Sequence, residues 1–167
     1  MKTFKDLINE CLGTVEEILP WDLQPFLEHD SPPLLLDIRE PYEFEAFHIA
    51  GSINVPRGIL ETACDYGYEE TLPELVNARD KAVIVICRSG NRSVLAAYTM
   101  QLMGYQQVKS LKMGIKGWND FELPLYNNGG KLMDVDAVDM QLLPKIRPEQ
   151  MPPQNIKRRS EYAAAVS

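Results

Sequence analysis

The 167-residue sequence is short of the residues from which metal sites and disulfide frameworks are built: it holds two His and three Cys. No CxxC or HExxH spacing occurs, which removes two familiar zinc patterns. The cysteines stand at 11, 64 and 87, odd in number and far apart, so they form no disulfide framework. Basic charge is also scarce. Lys plus Arg number 17 against 24 Asp plus Glu, a net charge of −7. A nucleic-acid or anionic-membrane surface needs a basic face, which leaves only a local basic pocket. No stretch approaches the ~18 consecutive apolar residues of a membrane span. Asp6 and Glu10 interrupt any apolar signal region near the N-terminus, and the expected compartment is the cytoplasm, where thiols stay reduced.

What remains is a globular composition, 45% hydrophobic and 25% charged, in a chain long enough to bury roughly 68–70% of its unfolded surface. Residues 34–38 (LLLDI) and 82–86 (AVIVI) read as strands buried on both faces. Residues 16–19 (EEIL) and 107–111 (QVKSL) are further strand candidates. Helices are expected over 4–12, 21–28, 41–47 and 93–103. Phe4, Leu7, Ile8 and Cys11 would share the apolar face of the first, Pro41 would open the third, and Gly104 would close the fourth. Strands alternating with helices imply a parallel α/β sheet.

The chemistry concentrates in Cys87-Arg88-Ser89-Gly90-Asn91-Arg92-Ser93. A buried strand delivers Cys87 to its C-terminal end, and a tight loop then opens a helix. In open α/β sheets, ligands bind at this position. Loop N–H groups can surround the sulfur, the helix N-terminus adds partial positive charge, and Arg88 and Arg92 add full charges. All three favour a nucleophilic thiolate and create a site for a sulfur oxyanion or a phosphate.

This loop resembles the active-site loop of rhodanese sulfurtransferases. The stretch from Leu36 to Phe44, followed by His48 to Pro56, is similar to that family's first signature, and Met113-Gly114-Ile115-Lys116-Gly117-Trp118 to its closing one. The three occur in family order over about residues 14–126. Two departures stand out: Met113 replaces the first Gly of the closing pair, and residues 57–80 exceed a minimal domain. The resemblance implies a doubly wound parallel five-stranded sheet with helices on both faces. It also implies that Cys87 accepts a sulfane sulfur from a donor such as thiosulfate and passes it to cyanide or a thiol, with no metal or cofactor. Related phosphatases and arsenate reductases have one more residue between the Cys and the second Arg; here four residues separate Cys87 from Arg92, which suits a single extra sulfur better than a tetrahedral oxyanion. A sulfur-relay or protein-interaction module with little turnover of its own is the main alternative, suggested by the acidic body and Pro-rich tail.

Around the loop, Asp37 is expected to accept hydrogen bonds from loop groups or pair with Arg39, with simple capping of the next turn as the alternative, and Arg39 to line the pocket or sit on the surface. His48, Gly51, Asn54 and Trp118 read as structural. Cys64 lies in the lengthened segment and could bring a second thiol to the pocket mouth, although a half-buried inert thiol is the simpler expectation. Three regions follow: an N-terminal helical extension (1–13), the rhodanese-like body (14–126) and a C-terminal extension (127–167). In the last, 134–143 reads as a helix with Val135, Val138, Met140, Leu142 and Leu143 apolar, and 144–167 as extended or partly disordered, ending in the cationic Lys157-Arg158-Arg159. Residues 1–126 carry 11 basic and 19 acidic residues, net −8; residues 127–167 carry 6 and 5, net +1. The partners expected are a small sulfur-donor anion and a thiol or protein acceptor, with a homodimer through the terminal extensions also open.

Overall fold

The computed structural model describes residues 1–153; Lys157–Arg159 and the rest of the tail lie outside the described residues. The chain opens with α1 (Phe4–Cys11), capped by Thr3 and Asp6 in reciprocal hydrogen bonds, and continues into β1 (Glu16–Ile18) and α2 (Pro20–Leu23). A 3₁₀ turn over Gln24–Glu28 follows. The single helix expected over 21–28 is therefore divided, because Pro25 has no N–H to continue the α-helical ladder. Then come β2 (Leu34–Asp37), α3 (Pro41–Ala46), the two-residue β3 (Ile53–Asn54), α4 (Leu60–Ala63), α5 (Pro73–Val76), β4 (Ala82–Ile86), α6 (Arg92–Leu102), β5 (Gln107–Leu111), α7 (Gly114–Asp120) and α8 (Val135–Leu142).

Among the described residues the sheet has five strands, all parallel, in the order β1-β5-β4-β2-β3. Side chains of β4 alternate between two cores, as strand geometry requires. Val83, Val85 and Cys87 face a core closed by Ile8 of α1, Leu60 and Ala63 of α4, Leu75 of α5 and Val94, Ala97 and Met100 of α6. Ile84 and Ile86 face the other, closed by Leu23 of α2, Phe47, Ile115 and Trp118 of α7, and Val138 and Leu142 of α8. This is the doubly wound arrangement that the sequence implied.

The flanks pack into the same body. Ile8 belongs to the first core, and Val138 and Leu142 to the second. Burying each such side chain contributes about 1.5–3 kcal/mol, which holds α8 in place although an eight-residue helix is not stable alone. Two apolar stripes are covered less than expected. Phe4 and Leu7 stay exposed on α1, and Met140 and Leu143 stay largely exposed at α8 and just after it.

Candidate active site

Cys87 is the first residue after β4 and is 1% exposed. The chain then turns into α6 through Gly90 at φ +84°, in the left-handed region that favours Gly. A Cβ at that position would lie 2.7 Å from the main-chain nitrogen of Met113. The turn aims main-chain donors at the sulfur: the N–H groups of Gly90 and Ser93 reach Cys87 Sγ at 3.2 and 3.3 Å. The thiol in turn donates to Ser93 Oγ at 3.3 Å, and that hydroxyl is 2.7 Å from Ser110 Oγ of β5. Donors so placed stabilise negative charge on a thiolate or on a sulfur bonded to it.

With its amides turned inward, the loop turns carbonyls outward, and α7 receives them. The N–H groups of Ile115 and Lys116 donate at 2.9 Å to the carbonyls of Cys87 and Arg88, satisfying first-turn donors that have no partner within the helix. This approach needs Gly114 at φ +58°, where a Cβ would stand 2.3 Å from the Cys87 carbonyl. Met113, which replaces the first Gly of the closing signature, also takes a left-handed φ, +63°. The structure thus gives the reason for a Gly-Gly pair there: two successive residues occupy backbone space that is costly for a side chain.

Beside the loop lies a cleft of about 660 Å³. It is lined by Arg88 and Ser89 of the loop, by Tyr42, Glu43 and Phe47, and by Leu142 to Ile146 with Gln150, whereas Cys87 does not line it. Arg88 does not reach toward the sulfur: its guanidinium donates to the Leu142 carbonyl at the end of α8. Arg92, expected in the anion site, does not line this cleft and pairs with Glu43 of α3 at 3.4 Å. Asn91 caps α6 through its backbone position alone.

Asp37 and Arg39 form a fully buried ion pair at the end of β2. Nε of Arg39 donates to both carboxylate oxygens at 3.0 and 3.1 Å, and Nη2 donates to one at 2.8 Å and to the Phe47 carbonyl at 2.7 Å. The expected pairing of Asp37 with Arg39 is present, and Asp37 Oδ1 also accepts from the Arg39 main-chain N–H at 3.0 Å, the local turn contact given as the alternative. Arg39 both lines the cleft and is buried, so it is no surface cation. His48 Nδ1 donates to the Phe44 carbonyl, 2.7 Å away, and the imidazole stacks on the Phe44 ring. Asn54 Nδ2 donates to the carbonyls of Asp37 and Arg39, at 3.0 and 2.9 Å.

Cys64 does not come to the cleft mouth. It follows α4, is 0% exposed and belongs to the first core. Burial pushes its thiol above the ordinary range, against smaller opposing effects of a hydrogen bond with Tyr105 and of the Arg79 charge. The lengthened segment 57–80 folds into α4, α5 and turns that cover the core face. Ser110 and the Leu142–Ile146 wall escaped the sequence reading. Ser110 could have been sought as a polar residue on the inward face of β5, paired in register with Val85, two positions before Cys87. Among the described residues no three His, Cys, Asp or Glu side chains gather into a metal cluster, and no helix is long and apolar enough to cross a membrane.

A Rhodanese-like domain matches residues 22–121, and the chain belongs to this family. The adenylyltransferase and sulfurtransferase MOCS3 of Drosophila virilis is 32% identical over 126 residues, 73% of this chain and 27% of that protein. The chain spans about half or less of the length of curated relatives that it matches. Among solved structures, a Rhodopseudomonas palustris protein described as of unknown function and a possible tyrosine phosphatase superposes with a TM-score of 0.67 at 29% identity, covering 80% of this chain and 96% of that one. A thiosulfate sulfurtransferase from Pseudomonas aeruginosa shares the fold, with a TM-score of 0.61 at 20% identity over 84% of this chain and 27% of that one.

Proposed function

We propose that the protein is a sulfurtransferase that carries a sulfane sulfur on Cys87. The observation that carries this reading is the convergence of two main-chain N–H groups and the Ser93 hydroxyl on Cys87 Sγ within 3.2–3.3 Å. The Cys87 thiolate attacks the outer sulfur of a donor. With thiosulfate the S–S bond breaks, its electron pair leaves on sulfite, and Cys87 retains the sulfur as a persulfide anion. An acceptor thiolate or cyanide then attacks the outer sulfur, and the Cys87 thiolate is the leaving group. The loop amides hold the charge at each stage, at fixed positions that need no reorganisation. Asp37 and Arg39 act as positioning residues that fix the Phe47 wall.

The reading is tested by treating the protein with thiosulfate and measuring its intact mass. A gain of one sulfur atom, removed by an acceptor thiol and absent in Cys87→Ser, is the expected result. A chain that gains no sulfur from any sulfane donor overturns it. A relay role, in which the sulfur passes mainly to a protein, is supported by the likeness of this chain to the Putative sulfur carrier protein YrkF of Bacillus subtilis, 29% identical over 110 residues. It predicts persulfide formation with slow turnover on small thiols, accelerated by a protein acceptor. Hydrolysis of an aryl phosphate is the contrary outcome that the spacing from Cys87 to Arg92 disfavours.

A further inference from the structure

We infer that Glu43 is a positioning residue that ties down the Arg92 guanidinium and cancels its charge, so that the Cys87 loop discriminates against small anions. The inference rests on Cys87 as sulfur carrier and concerns which reagents reach it. Arg92 immediately precedes Ser93, whose N–H meets Cys87 Sγ at 3.3 Å, so a full positive charge is anchored next to the sulfur. That charge is not aimed at the sulfur. Among the described residues Sγ bonds with the N–H groups of Gly90 and Ser93 and with the Ser93 hydroxyl. Nη2 of Arg92 instead stands 3.4 Å from Oε1 of Glu43, on α3. The other cation of the loop, Arg88, donates to the Leu142 carbonyl.

The carboxylate is held for this purpose by its own helix. Oε2 of Glu43 accepts from the Glu40 main-chain N–H at 3.0 Å, one half of a capping box in which the Glu40 side chain accepts from the Glu43 N–H in return. Oε1 is left to face Arg92. The group therefore has two separable effects: an oxygen caps α3, and the charge neutralises Arg92. The Arg92 side chain is 37% exposed, and ion pairs of that exposure add little to stability. A charge beside a nucleophile acts differently, because it changes the local concentration of every charged reagent. The other charges nearby are already matched: Asp37 with Arg39, and Lys116 with Asp120. Glu43 thus removes one of the two positive charges that the loop would otherwise offer to an anion.

The test compares alkylation of Cys87 in the full chain by anionic iodoacetate and by neutral iodoacetamide, followed by peptide mass so that Cys11 is counted apart. In both reactions the thiolate displaces iodide, so the ratio of the two rates reads the charge that the reagent meets. Glu43→Gln keeps an oxygen to cap α3 and loses the charge; it should raise the iodoacetate-to-iodoacetamide ratio about threefold at low salt. Arg92→Gln should lower the ratio by a similar factor, the double variant should return it to the wild-type value, and about 1 M salt should erase all three differences. With thiosulfate, which carries two negative charges, Glu43→Gln should lower KM about fivefold and leave kcat within about twofold. Thermal midpoints close to that of the wild type establish folding, and Arg92→Gln decides alone if Glu43→Gln misfolds. A ratio unmoved by the folded variants at low salt, or shifts that survive high salt, overturns the inference and leaves Glu43 a helix cap, while the sulfur-carrier reading stands. If thiosulfate and other sulfane donors fail to load the wild-type chain, the sulfur-carrier reading falls by itself, because the alkylation ratio decides the role of Glu43 without any sulfur transfer.

Discussion

The guanidinium of Arg88 donates to the main-chain carbonyl of Leu142, and this one contact joins the Cys87 loop to the end of a helix 54 residues further along the chain. The carbonyl belongs to the last turn of α8, where no later N–H completes the helical ladder. A charged donor there satisfies it and interacts favourably with the negative end of the helix.

Arg88→Ala should therefore loosen the wall as well as weaken the cleft's positive charge. Amides in the last turn of α8 should exchange with solvent about tenfold faster, consistent with a charge-assisted hydrogen bond worth about 1.5 kcal/mol or more. Hydrogen exchange read by mass spectrometry checks this. If exchange in α8 is unchanged, burial of Val138 and Leu142 alone holds the helix.

The Asp37–Arg39 pair makes a different prediction, because both charges are removed from water. Asp37→Ala leaves a buried guanidinium without its carboxylate and should cost about 3–5 kcal/mol. Replacing both residues together, as Asp37→Leu with Arg39→Met, should recover much of that loss, since burying the pair was costly in the first place. Denaturant midpoints of the three proteins measure the difference. A double variant as unstable as Asp37→Ala would show that the bond from Arg39 to the Phe47 carbonyl outweighs the desolvation of the pair.

The loop was legible in sequence because its chemistry is local. A β-branched strand, a Cys, a Gly and two Arg within seven residues are enough to specify a sulfur surrounded by amides. The paired cores were legible for a similar reason: LLLDI and AVIVI have no polar face to show water. Other features depend on distant contacts and left no local trace. Two-residue β3 is a strand only because β2 lies beside it. Ser110 gains its place near Cys87 from the register of β5 against β4. The Leu142–Ile146 segment, irregular beyond Leu142, is set at the cleft by α8 docking and by Arg88. Cys64 is inert, as the simpler expectation had it, but buried more completely than the lengthened segment suggested, because its short helices close over it.

Three backbone positions around the sulfur should separate sharply on substitution. Gly90→Ala and Gly114→Ala each put a Cβ against main-chain atoms, 2.7 Å from Met113 N and 2.3 Å from the Cys87 carbonyl, in addition to the positive φ. Each should cost about 1–3 kcal/mol or more and abolish sulfur loading by displacing the amides. Met113 offers the converse. At φ +63° a Gly escapes the left-handed penalty that an Ala keeps, so Met113→Gly should be about 1 kcal/mol more stable than Met113→Ala. Equal stabilities would mean that the native turn is not retained in these variants.

Cys64 and Tyr105 should together make the fold sensitive to alkali. Burial raises the ionisation of both above the ordinary values of 9.0 and 10.0, and the Tyr105 hydroxyl is further committed to the Leu75 carbonyl at 2.7 Å. Below about pH 8.5, where both are protonated folded or unfolded, neither gives stability any pH dependence. As pH rises through the ordinary range, the unfolded chain loses these protons while the folded one keeps them. The unfolded state is then favoured by up to about 1.4 kcal/mol per pH unit for each group. The denaturant midpoint should accordingly hold steady between pH 7 and 8 and decline from pH 9 upward. Tyr105→Phe should lower stability at pH 7 by the lost hydrogen bond, about 1 kcal/mol, yet show a shallower alkaline decline. Cys64→Ala should flatten the earlier part of that decline. Parallel curves for wild type and both variants would place the alkaline sensitivity elsewhere in the chain.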